Sequence, residues 1–393
     1  MKYFYFEQDP ARCRASFAVT HLGQLNGGES SNWLDLNYLE QQSQSSAHID
    51  RKLQPAINNR ELRAINQAHP RWQELAQPQT GKPPYTVNLL ACGDVGSTLL
   101  IGLKLLAGDT VSQIGIYDIN PLLCQRWQFE LNQISGPQGG VNMPQVQIIS
   151  KEQLFACDVF IFCATAGVPE LADKSDVRLA QYQRNAAIIK EYALLARKQK
   201  FTGLFAVVSD PVDLLCQTAL WESNKNSQGD FDGLGLFPEQ IEGYGLGVMH
   251  ARAKYYASQD PLLASYLNEG RAYGPHGNGL IIANSIANYD VAASRQLTEL
   301  AATANIKARE LGFKPYVAPA LSSGALAILA TLRGQWHYSS TYLGGVFMGA
   351  RNRRCLAGLE LETLPLPELL KQRIQATTET LISLNESMVA AAQ

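Results

Sequence analysis

VNLLACGDVGSTLLIGLKLLAG, residues 87–108, is the stretch whose reading decides the fold. It opens on an apolar run, Val87 to Ala91, crosses the turn Ala91-Cys92-Gly93-Asp94-Val95-Gly96, and passes directly into a Leu- and Ile-rich helical segment. Three more short, nearly all-apolar runs follow: QIGIY (113–117), VFIFC (159–163) and LFAVV (204–208). Strands buried on both faces have this composition, as in a parallel sheet covered by helices. Between the third and fourth runs, Leu179, Tyr182, Ala186, Ile189 and Ala193 recur every three or four residues, one face of a helix. Alternating strands and helices predict an α/β fold built on a doubly wound, Rossmann-type parallel sheet. Beyond about residue 245 the pattern turns more helical, at 284–312, 319–333 and 366–391, which predicts a following α+β domain. The expected division is an N-terminal extension over 1–84, a Rossmann domain over 85–245 and a substrate domain over 246–393.

The turn at 91–96 is a dinucleotide-binding fingerprint whose first glycine is alanine. Gly93 lets the backbone approach a pyrophosphate, and Gly96 lets the helix pack closely on the strand. Asp94 and Val95 open the helix, whose N-terminus offers free N–H groups and a positive dipole end. Asp94 also brings a negative charge beside that site, unfavourable unless it points away. Asp118 ends the second apolar run 22 residues after Gly96. A carboxylate there accepts from an adenosine ribose and repels a 2′-phosphate, which favours NAD over NADP.

Composition narrows the classes. A chain of 393 residues suggests two or three domains. Lys plus Arg is 33 against 35 Asp plus Glu, a net charge of -2, so a phosphate-tracking surface for nucleic acid is not expected. No apolar run nears the roughly 18 to 20 residues of a membrane span. Glu7 and Asp9 at the start do not fit a secretory signal. The seven cysteines form no CxxC pair, so no disulfide framework or metal site is expected and a cytoplasmic setting fits. In the first 84 residues, Tyr3 to Phe6 and Ser16 to Thr20 are strand-like and QQSQSS (41–46) looks like a loop. LQPAINNRELRAINQAHPRWQEL reads as one or two helices.

Further motifs follow in order. Ala164-Thr165-Ala166-Gly167 ends the third run. Arg178 precedes Gln183-Arg184-Asn185, and Ser209-Asp210-Pro211-Val212-Asp213 ends the fourth run. Gly243-Tyr244-Gly245 leads to Met249-His250-Ala251-Arg252, and Gly274-Pro275-His276-Gly277 comes last. Over roughly residues 86–392 this order resembles the lactate/malate dehydrogenase family, with its GxGxxG, strand-end acid, TAG, NPVD, DxxR and GxHG motifs. The resemblance implies NAD as cofactor, a small 2-hydroxy or 2-oxo acid as substrate, and a homo-oligomer, dimer or tetramer. It places Thr165, Ala166 and Gly167 at the cofactor beside Gly93, Asp94, Val95, Gly96 and Asp118. His276 falls on the family's catalytic histidine, which an imidazole suits because it takes and returns a proton near neutrality. Arg252 falls on the arginine that grips the substrate carboxylate in a two-pronged bond, and Arg178 on the mobile-loop arginine that polarises the carbonyl.

Three departures matter. Met249 stands where the family has the aspartate that orients the histidine, and Asp210 stands in place of the NPVD asparagine. Glu170 stands where malate dehydrogenases have the arginine that reads a distal carboxylate, so malate is not the expected substrate. Asp210 is a candidate to replace the missing acid at the ring of His276. Three functions stay open: an active dehydrogenase of unusual substrate, a catalytically silent NAD-binding protein, and an NAD-dependent glycosidase-like enzyme.

Overall fold

Four apolar runs set the centre of the molecule. In the computed structural model, which describes residues 1–25, 39, 51–77, 83–136, 142–167 and 174–391, they are strands of one sheet. The described strands are β1 (Lys2–Phe6), β2 (Ser16–Ala18), β3 (Leu62–Asn66), β4 (Tyr85–Leu90), β5 (Val111–Tyr117), β6 (Gln145–Ile148) and β7 (Val159–Phe162). They continue with β8 (Leu204–Val207), β9 (Ile241–Gly243), β10 (Arg271–Tyr273), β11 (Ile281–Ala283), β12 (His337–Leu343), β13 (Val346–Cys355) and β14 (Gly358–Leu361). The large sheet has nine strands in the order β14-β13-β12-β9-β8-β7-β4-β5-β6. Its six strands from β9 to β6 run parallel, in the doubly wound order 3-2-1-4-5-6. Strands β12, β13 and β14 extend it antiparallel.

Alternate side chains of these strands enter different cores, because successive residues point to opposite faces. Val87, Leu89, Ile114, Ile116 and Ile161 pack with Leu99 and Leu103 of the Asp94–Leu106 helix. Leu90, Phe160, Phe162, Phe205 and Val207 pack on the other face with Ile189 and Tyr192 of the Lys174–Lys198 helix. Among the described residues no helix is long and apolar enough to cross a membrane.

Beyond residue 245 the chain carries more sheet than its composition predicts. The helix expected over 284–312 spans Val291–Glu310, starting where the Asp290 carboxylate caps the Ala293 N–H at 2.7 Å. Residues 319–333 divide into a π-helical turn, Pro319–Ala325, and an α-helix, Leu326–Leu332. The last helix is Glu368–Ala391.

The N-terminal residues form a separate three-stranded sheet, β1-β3-β2. Here the expectation of one or two helices is corrected. LRAIN is β3, flanked by the short helices Gln54–Asn58 and Trp72–Leu75. Arg63 disguises it, because its buried guanidinium lies within the strand and donates to the carbonyls of Leu75, Ala357 and Leu356 at 2.8, 2.9 and 3.2 Å. The QQSQSS segment lies outside the described residues. This sheet is fastened to the larger one. Ser16 Oγ donates to the buried Glu239 carboxylate at 2.6 Å, Tyr342 donates to the Ala11 carbonyl at 3.0 Å, and Phe6, Phe17 and Leu62 share a core with Tyr273, Ile281 and Met348.

Arg63→Met removes the donor to two buried carbonyls, of Leu75 and Ala357, and to the partly buried one of Leu356. It should lower unfolding stability by about 3 kcal/mol, read as a lower urea midpoint. An unchanged midpoint would show that these bonds do not hold the N-terminal sheet in place.

Candidate functional site

In an open α/β sheet the ligand crevice lies outside the carboxyl ends of the strands, where the winding reverses. Here that point is the junction of β4 with β7, since β5 lies on the other side of β4. The turn after β4 is tight for a definite reason. Ala91 has φ +76°, the left-handed conformation that the family's first glycine adopts freely and that costs an L-residue about 1–2 kcal/mol. A Cβ on Gly96 would lie 2.0 Å from the Ala91 carbonyl oxygen, so only glycine lets the helix seat on the strand end. Gly93 is the opposite case, since a Cβ there meets nothing within 4 Å. Gly167, after β7, has φ +85° and the same open space. At both glycines the backbone borders a gap among the described residues.

Polar groups frame that gap. The Asp118 carboxylate accepts the N–H of Cys92 at 2.7 Å and of Asn120 at 2.8 Å, tying the end of β5 to the glycine turn. The charge of Asp94 is met by Lys314, whose Nζ lies 2.8 Å from Asp94 Oδ2. Asn185 is fully buried and locks two loops together. Its Oδ1 accepts the Ala166 N–H at 2.9 Å, its Nδ2 donates to the Asp210 carbonyl at 2.7 Å, and Thr165 Oγ1 lies 3.4 Å from Oδ1. Beside Asp210, the buried hydroxyl of Ser209 has no hydrogen-bond partner among the described residues.

At the end of β8 the two acids of the Asp210-Pro211-Val212-Asp213 segment meet the glycine-rich loop that follows β10. His276 Nδ1 lies 3.1 Å from Asp210 Oδ1, and the His276 backbone N–H donates to Asp213 Oδ2 at 3.0 Å. The ring is 15% exposed and the Asp210 carboxylate 56% exposed, so this contact sits at the floor of an opening. Burial pulls the imidazole pKa down, but the charge and hydrogen bond of Asp210, with Asp213 behind, outweigh it and raise it above its ordinary value. Arg252 stands near enough to act against that rise. Its Nη1 lies 3.3 Å from the Ala301 carbonyl and 3.7 Å from Met249 Sδ, so the residue in the place of the family aspartate contacts the guanidinium instead. Burial lowers the Arg252 pKa, opposed by the charges of Tyr256 and Asp210.

His276, Asp210 and Arg252 are therefore brought together, as are Gly93, Gly96, Asp118 and Gly167 around the crevice. Glu170 and the side chain of Arg178 lie outside the described residues, although Arg178 falls on the Lys174–Lys198 helix. Glu242 takes no part in the cluster. It is buried with Arg354, Tyr244 and His337; burial opposes its ionisation, but those neighbours hold its pKa down at about 2. Sequence reasoning passed over Asn185, Asp213, Ser340 and Gly245. A Cβ on Gly245 would lie 2.6 Å from His276 Cβ, so that glycine is what lets the histidine loop close on the Leu246–Ala257 helix. The DPVD spacing was the available signal for Asp213, because it puts two acids at one helix start.

No family model matches the chain. An L-lactate dehydrogenase of Mesomycoplasma hyopneumoniae is 23% identical over 203 residues, 51% of this chain and 58% of that protein. An L-lactate dehydrogenase of Treponema denticola is 26% identical over 213 residues, 54% of this chain and 60% of that protein. Relatives of the same degree include a malate dehydrogenase of Chlorobium chlorochromatii. The chain thus matches about three fifths of the length of these curated relatives. Among solved structures, the lactate dehydrogenase MGS-M5 from a Medee basin deep-sea metagenome superposes with a TM-score of 0.63 at 17% identity, covering 78% of this chain and 100% of its own. That likeness shows a shared fold. In sequence the chain is thus similar to L-lactate and malate dehydrogenases, at low identity and over about half its length.

Gly93 and Gly96 should separate under mutation. Gly96→Ala should cost more than about 2 kcal/mol of stability because the turn must open, whereas Gly93→Ala should stay within about 0.5 kcal/mol. Equal urea midpoints for the two variants would contradict the geometry of the turn.

Proposed function

We propose that this protein binds NAD(H) and interconverts a 2-hydroxy acid and a 2-oxo acid that lacks a second carboxylate. The observation that carries this reading is the Asp210–His276 contact with Arg252 beside it, at the rim of the glycine crevice. The crevice suits a dinucleotide. Gly93 and Gly167 leave open space against the backbone, and the Ser209 hydroxyl waits for a partner. The first-turn N–H groups at Asp94, Val95 and Gly96, which a helix cannot satisfy itself, would hold the pyrophosphate. Asp118 keeps lone pairs for ribose hydroxyls after its two backbone bonds, since a carboxylate offers about four acceptor sites. Thr165, Ala166 and Gly167 would line the nicotinamide side. When bound, the cofactor supplies or accepts the hydride.

The remaining chemistry belongs to the protein. Arg252 carries a half-buried positive charge whose described contacts are a thioether and a carbonyl, so a substrate carboxylate is its natural counter-ion. With Nδ1 turned to Asp210, the Nε2 of His276 is the ring atom left to hold a proton at the substrate oxygen. In the reducing direction the protonated ring donates to the carbonyl oxygen; in the oxidising direction the neutral ring takes the hydroxyl proton. Asp210 favours the protonated ring, as an opposite charge in contact does. It would thus do from a new side what the family aspartate does from position 249. The seven cysteines are free thiols, which suits a reducing compartment. Glu170 supports the exclusion of malate, because a second substrate carboxylate would meet a like charge. Met249, buried against Arg252, favours the second reading, a silent NAD-binding protein.

Two variants decide between these. Asp210→Asn should retain NADH binding and lose turnover by roughly 10²-fold or more, and Asp210→Asn with Met249→Asp should regain much of it. Equal or faster turnover by Asp210→Asn alone would rule out the acid–imidazole pair. A pH profile gives a further check. Reduction needs the protonated ring, so kcat/KM for the 2-oxo acid should fall as pH rises through the raised pKa of His276, and the limb should move to lower pH in Asp210→Asn. A profile flat through that range would exclude His276 as the proton donor. Oxaloacetate should be a poor substrate beside a monocarboxylic 2-oxo acid; efficient oxaloacetate reduction would show that Glu170 does not face the substrate.

A further inference from the structure

His276 sits in a loop with little regular structure of its own to hold it. Gly274, Gly277 and Gly279 have φ of +87°, +157° and +94°, and within the loop the Gly277 and Leu280 N–H groups reach only Pro275 and Gly277. Gly274 is bridged to Gly349 on both sides, which anchors the start of the loop to β13. Past that anchor, the backbone of His276 itself is tied across the site, among the described residues, by one bond, from its N–H to Asp213 Oδ2 at 3.0 Å. Asp213 is buried in the first turn of the Val212–Ser223 helix, and its other oxygen accepts from Ser340 Oγ at 2.6 Å. Burial raises the Asp213 pKa, and the bonds from Ser340 and the His276 N–H, with the imidazole charge, act against that rise; both oxygens accept from donors, the pattern of an ionised carboxylate. Ser340 belongs to β12 and is paired with Gly243 of β9, so the carboxylate is referenced to the centre of the large sheet.

We infer that Asp213 is the positioning residue for His276. It fixes the backbone of the histidine loop to the sheet and adds a second negative charge beneath the ring. Asp210, just before the Val212–Ser223 helix, and Asp213, in its first turn, then form a clamp whose arms take the ring and the backbone. The inference rests on the reading of His276 as proton carrier. The charged groups acting on the ring are Asp210 and Asp213 from the helix start and Arg252 from the Leu246–Ala257 helix, while Gly245 and Ser340 bring no charge. Two carboxylates against one guanidinium leave one negative charge unbalanced when the imidazole is neutral and none when it is protonated. Burial without that second charge would oppose the cation.

The test uses the full chain and the ring resonances of His276, assigned by their loss in His276→Gln. Asp213→Asn keeps the size of the side chain and removes its charge. It should move the ring titration to lower pH and the pH limb of NADH-dependent 2-oxo acid reduction with it, while the KM for NADH stays near wild type. Ser340→Ala keeps the charge and frees the carboxylate to swing, so kcat should fall roughly tenfold, the scale of a sub-ångström misplacement, with the ring titration near that of wild type. If Asp213→Asn leaves the ring titration unmoved, or Ser340→Ala leaves kcat unchanged, the inference is overturned. Should Asp213→Asn fail to fold, the Ser340→Ala kinetics decide alone. If the wild type shows no turnover, the dehydrogenase reading fails, and the ring titration of Asp213→Asn still decides the role of Asp213.

Discussion

On the proposed function, the 3.1 Å contact between Asp210 and the ring of His276 is the constraint on which the rest of the site depends, because it supplies the negative charge that Met249 does not. A histidine that must carry a proton needs a nearby negative charge, and burial alone works against it. Met249 supplies none. Its sulfur sits against Arg252, where a carboxylate would have held both the guanidinium and the ring. Moving the acid to position 210 leaves Arg252 without a neighbouring carboxylate at its former side and makes it available to an anion. On the proposed reading, Asp210 in the place of the NPVD asparagine and Met249 in the place of the family aspartate form one coupled rearrangement of charge, with the same number of acids near the ring in either arrangement.

That rearrangement requires a rigid support, and the fold provides it at the carboxyl ends of the parallel strands. Asn185 ties the loop after β7 to the loop after β8, Ser340 ties Asp213 to β12, and Gly245 gives the ring its space. The N-terminal sheet contributes from behind. Its residues share a core with Tyr273 and Ile281, which flank the histidine loop on β10 and β11. Buried Arg63 and Glu239 fasten it through hydrogen bonds to backbone and hydroxyl groups.

What was legible in the sequence follows from this architecture. Strands β4, β5, β7 and β8 are buried on both faces over most of their length, so they read as nearly all-apolar runs and could be placed to within two residues. The glycine turn, Asp118 and the order of motifs were legible because a particular residue type is needed at each point. Ala91 shows the limit of such a pattern, since an alanine in the left-handed region does the work expected of glycine at some cost in strain. Strand β12 was missed because its buried residues are polar. In His337-Tyr338-Ser339-Ser340-Thr341 the two serine hydroxyls are partnered laterally, Ser340 by Asp213 and Ser339 by Asn352. The partner of Ser340 lies 127 residues away, so no local window contains it. Strand β3 was hidden in the same way, by an arginine whose acceptors lie as far as 294 residues away. Asn185 and Asp213 were in view as letters of motifs, but their work is to join loops, which only the folded chain reveals.

The most direct measurement is NADH consumption by the purified wild-type protein across a panel of 2-oxo acids, with NADH binding followed in parallel. The account predicts tight NADH binding and turnover that depends on a monocarboxylic 2-oxo acid and declines as pH rises through the His276 titration. NADH binding with no turnover on any 2-oxo acid would contradict it, because the Asp210–His276 pair would then be a relic of the fold rather than a working proton carrier.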